Sequence, residues 1–470
     1  MGIKYYLPLK CPDIIPKTYV ISMLLKRYNI QNIFSNLKQI IRNAVPTTIL
    51  YDEPEYLEVM RLCRLNEDLR NQEFIEMWWR RKLANVLSDA IRFVPYYRRV
   101  AFIDPESISE YNSEEVLKTF PYLNKKIVMK EPENFIDSRF DKRKLIFGSS
   151  SGSTGHGIKL WKSRKESFIE GAFINYEWGK LGYIPRRSRV VRIAYEGRQK
   201  ANEVPWRRLA NRLLVSPYHL NSEWLGHIYE AIISFQPHFF HAYPSCMYEL
   251  AYYISSSRLP SIECKGILLA SEKLTSYQCK VIQENVRGPI IVNYGLSERS
   301  NLGFSDIISD PSNIAYRLNR LYSYSENKID DFGNHEIVGT SFWSACMPLI
   351  RYQTEDYGLI ENGIIKNLIG RQQEFLIAKN ETRISTVPIE IDSFIWDFIS
   401  KYQIVQDEIG KITVKIIPKK ELDEQVRNLI LRAFSKKWED FFDVCLNIVN
   451  DLEKSSSGKT MLVVNHLHKI

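Results

Sequence analysis

Apolar side chains between residues 73 and 99 fall at helical spacing: Met77, Leu83, Leu87, Ala90 and Ile91 recur three and four apart. Val94-Pro95 ends that run, because proline disfavours helical backbone in the residue before it. Short helices and a turn through Phe120-Pro121 follow. The pattern then changes to compact apolar runs, Val190-Val191-Arg192-Ile193-Ala194, Phe239-Phe240-His241-Ala242-Tyr243 and Gly266-Ile267-Leu268-Leu269-Ala270, which predict buried strands. Helices are predicted over 167–181, 223–234 and 276–286. A single helix between the strands at 266–270 and 289–294 implies a parallel pair, and α/β sheets place ligands at the carboxyl ends of such strands. Tyr294-Gly295-Leu296-Ser297-Glu298 falls at one of those ends.

Residues 304–350 predict short strands and turns that close with Pro348-Leu349-Ile350-Arg351-Tyr352. Beyond Gly370-Arg371 come short strands at 375–378 and 412–417, a helix at 421–438 and a last strand at 461–464. The expected fold is therefore α/β, with a large domain of mixed and parallel sheets flanked by helices and a smaller α+β domain after it. The boundaries expected are an N-terminal helical extension over 1–75, a main domain over 76–370 and a C-terminal domain over 371–470. Residues 14–45 mix apolar positions with Lys17, Lys26, Arg27, Lys38 and Arg42. Such helices can lie on a membrane, but a helix packed on the main domain is the expected role.

Charge and cysteine content narrow the class. The formal net charge of +9 over 470 residues is a mild basic excess, and the Lys and Arg read as scattered among acids, which is poor support for nucleic-acid binding and suits anionic ligands; no nucleic-acid partner is expected. The seven cysteines form no C-x-x-C pair, so neither a disulfide framework nor a zinc site is expected. The N-terminus has no charged, apolar and small-residue succession of a secretory signal, and a cytoplasmic protein is expected.

The chemistry gathers at a few motifs. In Gly148-Ser149-Ser150-Ser151-Gly152-Ser153-Thr154-Gly155-His156-Gly157, glycines free the backbone to approach a ligand and hydroxyls add donors, a combination suited to phosphate oxygens; a plain surface turn is the alternative. It is not a Walker A loop, since no Gly-Lys-Ser/Thr follows and the next segment is strand-like. Ser457-Gly458-Lys459-Thr460 fails the same test. Glu298 could hold Mg²⁺ beside phosphates or sit in a surface ion pair. Asp356 could accept from ribose hydroxyls or form a turn near Gly358. Arg351 and Arg371 could be cations for a phosphate or carboxylate, or solvated strand-end charges. His241, Tyr243, Ala270, Ser271 and Glu272 are candidates for a substrate pocket, with Tyr243 read first as a core residue.

In this order the motifs resemble the adenylate-forming superfamily, and within it the phenylacetate-CoA ligase-like branch that includes CapK-type proteins of capsular polysaccharide loci. Ser150-Ser151-Gly152-Ser153-Thr154-Gly155 resembles the family's phosphate loop, and Tyr294-Gly295-Leu296-Ser297-Glu298 its Tyr-Gly-x-x-Glu motif. Arg351-Tyr352-Gln353-Thr354-Glu355-Asp356 is similar to Arg-Tyr-x-Thr-Gly-Asp, Gly370-Arg371-Gln372-Gln373-Glu374 to the hinge Gly-Arg-x-x-Asp, and Ser457-Gly458-Lys459 to the catalytic lysine motif. Val94-Pro95-Tyr96-Tyr97, Phe120-Pro121-Tyr122-Leu123 and Ala242-Tyr243-Pro244-Ser245 resemble recurring segments of that branch.

The resemblance implies attack of a substrate carboxylate on the α-phosphorus of ATP, giving an acyl-adenylate and pyrophosphate, then transfer to CoA, an amine or a carrier protein. It implies that Ser150, Ser151, Gly152, Ser153, Thr154 and Gly155 hold phosphates, that Tyr294, Gly295, Asp356 and Arg371 bind nucleotide, that Glu298 carries Mg²⁺, that Lys459 acts in catalysis with Glu298 and Thr154, and that Glu374 sits at the hinge of a mobile C-terminal domain. Two positions depart from the pattern: Glu355 stands where the family has glycine, and Glu374 where it has aspartate. A nucleotide-binding scaffold without turnover is the alternative that Glu355 raises.

Overall fold

In the computed structural model the protein is described over residues 54–149, 158–197, 199, 203–330, 333–369, 375–385, 393–453 and 463–469. Helices α1 (Pro54–Glu67), α2 (Gln72–Phe93), α3 (Pro95–Val100), α4 (Ser113–Thr119) and α5 (Lys125–Lys130) lead to a hairpin of β1 (Ile146–Ser149) and β2 (Lys159–Lys162). The main sheet is then built from β3 (Val190–Ile193), β4 (Trp206–Leu209), β5 (Arg212–Val215), β6 (Phe239–Ala242), β8 (Gly266–Ala270) and β10 (Ile290–Gly295). It continues through β11 (Leu302–Phe304), β12 (Tyr316–Leu318), β13 (Ser323–Ile329), β14 (His335–Ser341), β15 (Tyr352–Glu361) and β16 (Ile364–Ile369). Helices α6 (Arg164–Gly179), α7 (Leu225–Phe235), α8 (Pro244–Ser256) and α9 (Ser276–Asn285) are interspersed, with a small parallel pair of β7 (Ile262–Glu263) and β9 (Val286–Arg287).

The twelve strands run β13-β14-β15-β16-β12-β11-β10-β8-β6-β3-β5-β4. β5, β3, β6, β8 and β10 are mutually parallel, and the strands from β11 to β16 are antiparallel. The parallel half is apolar on both faces because helices cover both. Along β10, Ile291 joins a core with Tyr56, Leu83 and Phe173 from α1, α2 and α6, whereas Ile290 and Val292 join one with Ile228, Met247 and Ile282 from α7, α8 and α9. Residues 54–67, placed in the extension by sequence, thus share the core of the main domain.

Local signals explain the helix starts. Ser163 and Glu166 form a capping box on α6, and Thr275 and Gln278 one on α9, each satisfying N-terminal donors that the helix leaves open. The helical run ends at Val94-Pro95 as its pattern predicts: α2 stops at Phe93, and Pro95 opens the short α3.

The C-terminal region holds β17 (Phe375–Ile377) paired with β18 (Arg383–Ser385), and a four-stranded sheet ordered β21 (Asp443–Ile448), β20 (Lys411–Pro418), β19 (Ile399–Glu408), β22 (Val463–Asn465). Helix α10 (Glu424–Trp438) lays Ile430, Phe434 and Trp438 on that sheet. Its core also takes in Tyr218 of the main domain, stacked on Phe441 at 5.1 Å between ring centres. Asn221 and Asn380 each donate to a carbonyl across this contact, Asn221 to Asn380 and Asn380 to Tyr218, at 3.3 Å. No helix among the described residues is long and apolar enough to cross a membrane.

Candidate active site

The site begins where β10 stops. Tyr294, Gly295 and Glu298 lie at the carboxyl end of the parallel half, as expected from the strand pattern. Tyr352 and Asp356 come from β15, which is separated from β10 by β16, β12 and β11. The two motifs nevertheless interlock. The Tyr294 hydroxyl donates to Asp356 Oδ2 at 3.1 Å, and the Tyr352 hydroxyl donates to Glu298 Oε1 at 3.3 Å. Each motif's tyrosine therefore holds the other motif's carboxylate, and all four side chains are buried. A hydrogen bond to a charged acceptor in such a place contributes about 1.5–3 kcal/mol, so both acids are held in fixed positions.

Asp356 is aimed by a bulge. β14 and β15 pair through Glu336↔Tyr357 and Val338↔Gln353, leaving three residues, Thr354, Glu355 and Asp356, opposite Ile337. Thr354 Oγ1 donates to the Ile337 carbonyl at 2.8 Å and accepts from the Asp356 N–H at 3.1 Å, and Glu336 accepts the Glu355 N–H at 3.1 Å. Glu355 has φ of +62°, the left-handed region that costs a side-chain-bearing residue about 1–2 kcal/mol. That conformation gives a physical reason why glycine would suit this position. The Glu355 Oε2 atom is buried without a hydrogen-bond partner.

Positive φ recurs around this site. Ser271, Arg299 and Arg351 have positive φ at strand ends, and Glu355 has it within the bulge of β15. Gly339 on β14 serves the same region: a Cβ there would lie 2.5 Å from the Ser300 carbonyl oxygen and 2.1 Å from Asn301 Oδ1. The loop carrying Glu298 can pack on β14 only because that position has no side chain. An isolated glycine in an apolar strand signals such a close approach, although sequence reading passed over it.

Arg351 is not a ligand cation. Its guanidinium makes a bidentate pair with Glu326 at 2.9 and 2.8 Å, donates to the Lys118 and Phe120 carbonyls at 3.0 Å, and lies 3.9 Å above the Tyr122 ring centre. The Glu326 carboxylate keeps the guanidinium firmly charged despite its burial. Leu123 brackets the arginine through backbone bonds to Arg351 and Gln353. Upstream, the Tyr97 hydroxyl donates to the Pro348 carbonyl at 3.1 Å and accepts the Ile350 N–H at 2.8 Å, and burial raises its pKa. The segments around Tyr97 and Phe120 therefore support the strand that delivers Tyr352 and Asp356.

The candidate pocket residues divide by role. Glu272 is buried, and its Oε2 accepts the Ser245 N–H at 2.9 Å in the first turn of α8, where the helix dipole favours a carboxylate. His241 on β6 meets Trp178 edge-on at 4.6 Å and contacts the Arg192 guanidinium. Burial, then Arg192 and Arg212, hold its pKa well below the usual histidine value, so it is a neutral acceptor. Tyr243 accepts the Tyr195 N–H at 3.5 Å, and burial raises its pKa. Ala270 ends β8 and Ser271 turns away from it. Cys246 is a buried thiol raised well above its ordinary pKa, which leaves it inert.

The Ser/Gly motif, including Thr154 and residues 150–155, lies outside the described residues, as do Arg371, Glu374 and Lys459. β1 and β2 flank that motif as an antiparallel pair, Ser149 opposite Lys159, so the loop joins two strands rather than a strand and a helix.

Comparison with known proteins agrees with this architecture. The protein has the fold of 2-hydroxyisobutyryl-CoA ligase, solved with 2-HIB-AMP and CoA in its thioesterification state: TM-score 0.50 at 14% identity, over 86% of this chain and 91% of that one. The same ligase in an open conformation aligns with TM-score 0.48 at 15% identity, over 83% and 91% of the two chains. The chain is similar to Protein CapK of Staphylococcus aureus, 23% identical over 460 residues that cover 93% of this chain and 97% of the relative. Residues 376–466 match the CapK C-terminal domain family.

Proposed function

We propose that the protein is an ATP-dependent, AMP-forming carboxylate ligase. The observation that supports this most is the reciprocal Tyr294–Asp356 and Tyr352–Glu298 pairing, which fixes two carboxylates at one strand-end site. In this reading Asp356 accepts from the ribose hydroxyls. Glu298, a buried carboxylate at the strand end, fits a magnesium ion, which takes only one or two protein carboxylates, and would hold it beside the phosphates. That ion would neutralise phosphate charge.

The reaction needs two anions brought together and charge on the phosphate oxygens stabilised, rather than a nucleophilic side chain. A substrate carboxylate oxygen bonds to the α-phosphorus as the bond to pyrophosphate breaks. Residues 150–155 would hold the β- and γ-phosphates, and Lys459 would meet the α-phosphate and carboxylate oxygens. The acyl group then passes from AMP to a thiol or amine, CoA and a carrier protein included. The resemblance of the motifs to CapK-type proteins of capsular polysaccharide loci supports a place in surface polysaccharide assembly. ATP–pyrophosphate exchange screened across fatty, aryl, amino and uronic acids tests the assignment: exchange that depends on one acid class is expected.

A second reading, a nucleotide-binding scaffold, has one observation in its favour: the unpartnered Glu355 oxygen beside Asp356. ATP binding by calorimetry with no exchange for any acid would favour it.

A further inference from the structure

The +9 charge of the chain is unevenly placed, contrary to the scatter read from the sequence. Residues 184–215 hold nine Lys and Arg against two Glu, and residues 1–53 hold seven against three, so the rest of the chain is slightly acidic. The described residues of the first segment, 184–197, 199 and 203–215, form one corner of the main sheet, where β4 is the terminal strand. Arg187, Arg207, Arg208 and Arg212 are exposed there, and none forms an ion pair with a carboxylate among the described residues. Two aliphatic side chains stand exposed among them, Ile184 at 45% and Leu209 at 49%.

Hydrogen bonds brace the corner. The Asn211 side chain donates to the Arg186 and Arg187 carbonyls at 2.8 and 3.1 Å, tying the loop that carries Ile184 to the β4–β5 turn. Ser188 Oγ accepts the Ile184 N–H at 2.9 Å, and the Arg207 guanidinium donates to the Glu196 carbonyl at 3.1 Å. Leu209 lies directly opposite Arg212 in the register, so these two and Arg207 share a face, while Arg208 stands over Phe235 on the other.

We propose that this corner docks the protein on an anionic lipid surface, with the exposed arginines on lipid phosphates and Ile184 and Leu209 in the headgroup layer. Guanidinium forks match phosphate oxygens, and aliphatic tips between cations gain nothing from a nucleic acid or polysaccharide but do gain from a lipid interface. The basic N-terminal residues share the sign of the corner and are no complement to it.

Co-sedimentation of the full chain with phosphatidylcholine vesicles, with and without about one-third phosphatidylglycerol, tests this. Binding is expected only with the anionic lipid. R187Q/R207Q/R208Q/R212Q should weaken it about fivefold per arginine, roughly 500-fold in all, and I184D/L209D at least about tenfold, with folding verified by circular dichroism. R70Q/R81Q/R143Q/R287Q, which removes the same charge elsewhere, should retain most of the binding. No preference for anionic vesicles, or an equal loss in the two arginine variants, would overturn the proposal. So would arginine-dependent retention on heparin by a protein that ignores vesicles.

Discussion

β10 and β15 each deliver one tyrosine and one carboxylate to the site, but they do so by different means. β10 is a plain parallel strand: an apolar run pairs with β8, stops at Gly295, and leaves Glu298 in the loop beyond. β15 is an antiparallel strand whose usable residue lies in its middle, and it reaches the site only through a bulge that holds Glu355 at a φ of +62°. One region uses the geometry that every parallel sheet supplies at its carboxyl end. The other needs local strain held down by Glu336, Thr354 and the Arg351 clamp. Strand topology alone thus supplies half of the site, and bought-in rigidity around Arg351 the other half.

The largest effect should come from neither strand. Lys459→Ala is expected to slow adenylation about 100- to 1000-fold, read by hydroxylamine trapping, while leaving nucleotide affinity near wild type. A loss of nucleotide affinity instead would show that the two strands do not suffice to bind it.

Gly339→Ala tests whether β14 carries the Glu298 loop. Its new methyl group meets a backbone oxygen, so about 1–3 kcal/mol of stability should be lost in denaturant titration, with a fall in exchange activity. An unchanged midpoint would remove β14 from the account.

His241 probes the parallel half through pH. Its folded pKa is depressed, so the unfolded chain binds the proton first. Stability is then full above about pH 6.5 and falls as pH drops toward the folded value, by at most about 1.4 kcal/mol per pH unit. His241→Gln should flatten this slope between pH 7.5 and 5.5 in chemical denaturation; an unaltered slope would place the titration elsewhere.

The smallest effect is expected at the bulge. Glu355→Gly relieves the left-handed strain and removes the orphan oxygen, and should stabilise the protein by about 1 kcal/mol without loss of nucleotide binding. Destabilisation would mean that the Glu355 side chain supports the bulge.

These residues also show what the sequence made legible. The strand-helix-strand pattern placed Tyr294 and Glu298 at a sheet end, because apolar runs with period and punctuation report on parallel strands directly. Asp356 and Glu298 were separate candidates with separate alternatives. Nothing in spacing could show that Tyr352 reaches Glu298, since three strands intervene in the sheet. Arg351 read as a possible ligand cation, because an arginine at a strand end looks the same whether its partner is a phosphate or a buried Glu326. The charge at residues 184–215 was present in the composition but was averaged over the whole chain.

The central claim, that the end of β10 and the bulge of β15 form one nucleotide site with divided roles, is tested most directly by calorimetric titration of ATP with and without Mg²⁺. Wild type, Asp356→Ala and Glu298→Gln are compared. Asp356→Ala should weaken binding about 10- to 100-fold in both conditions, the scale of hydrogen bonds to a charged group, whereas Glu298→Gln should weaken it only when Mg²⁺ is present. Wild-type affinity in both variants under both conditions would contradict the account.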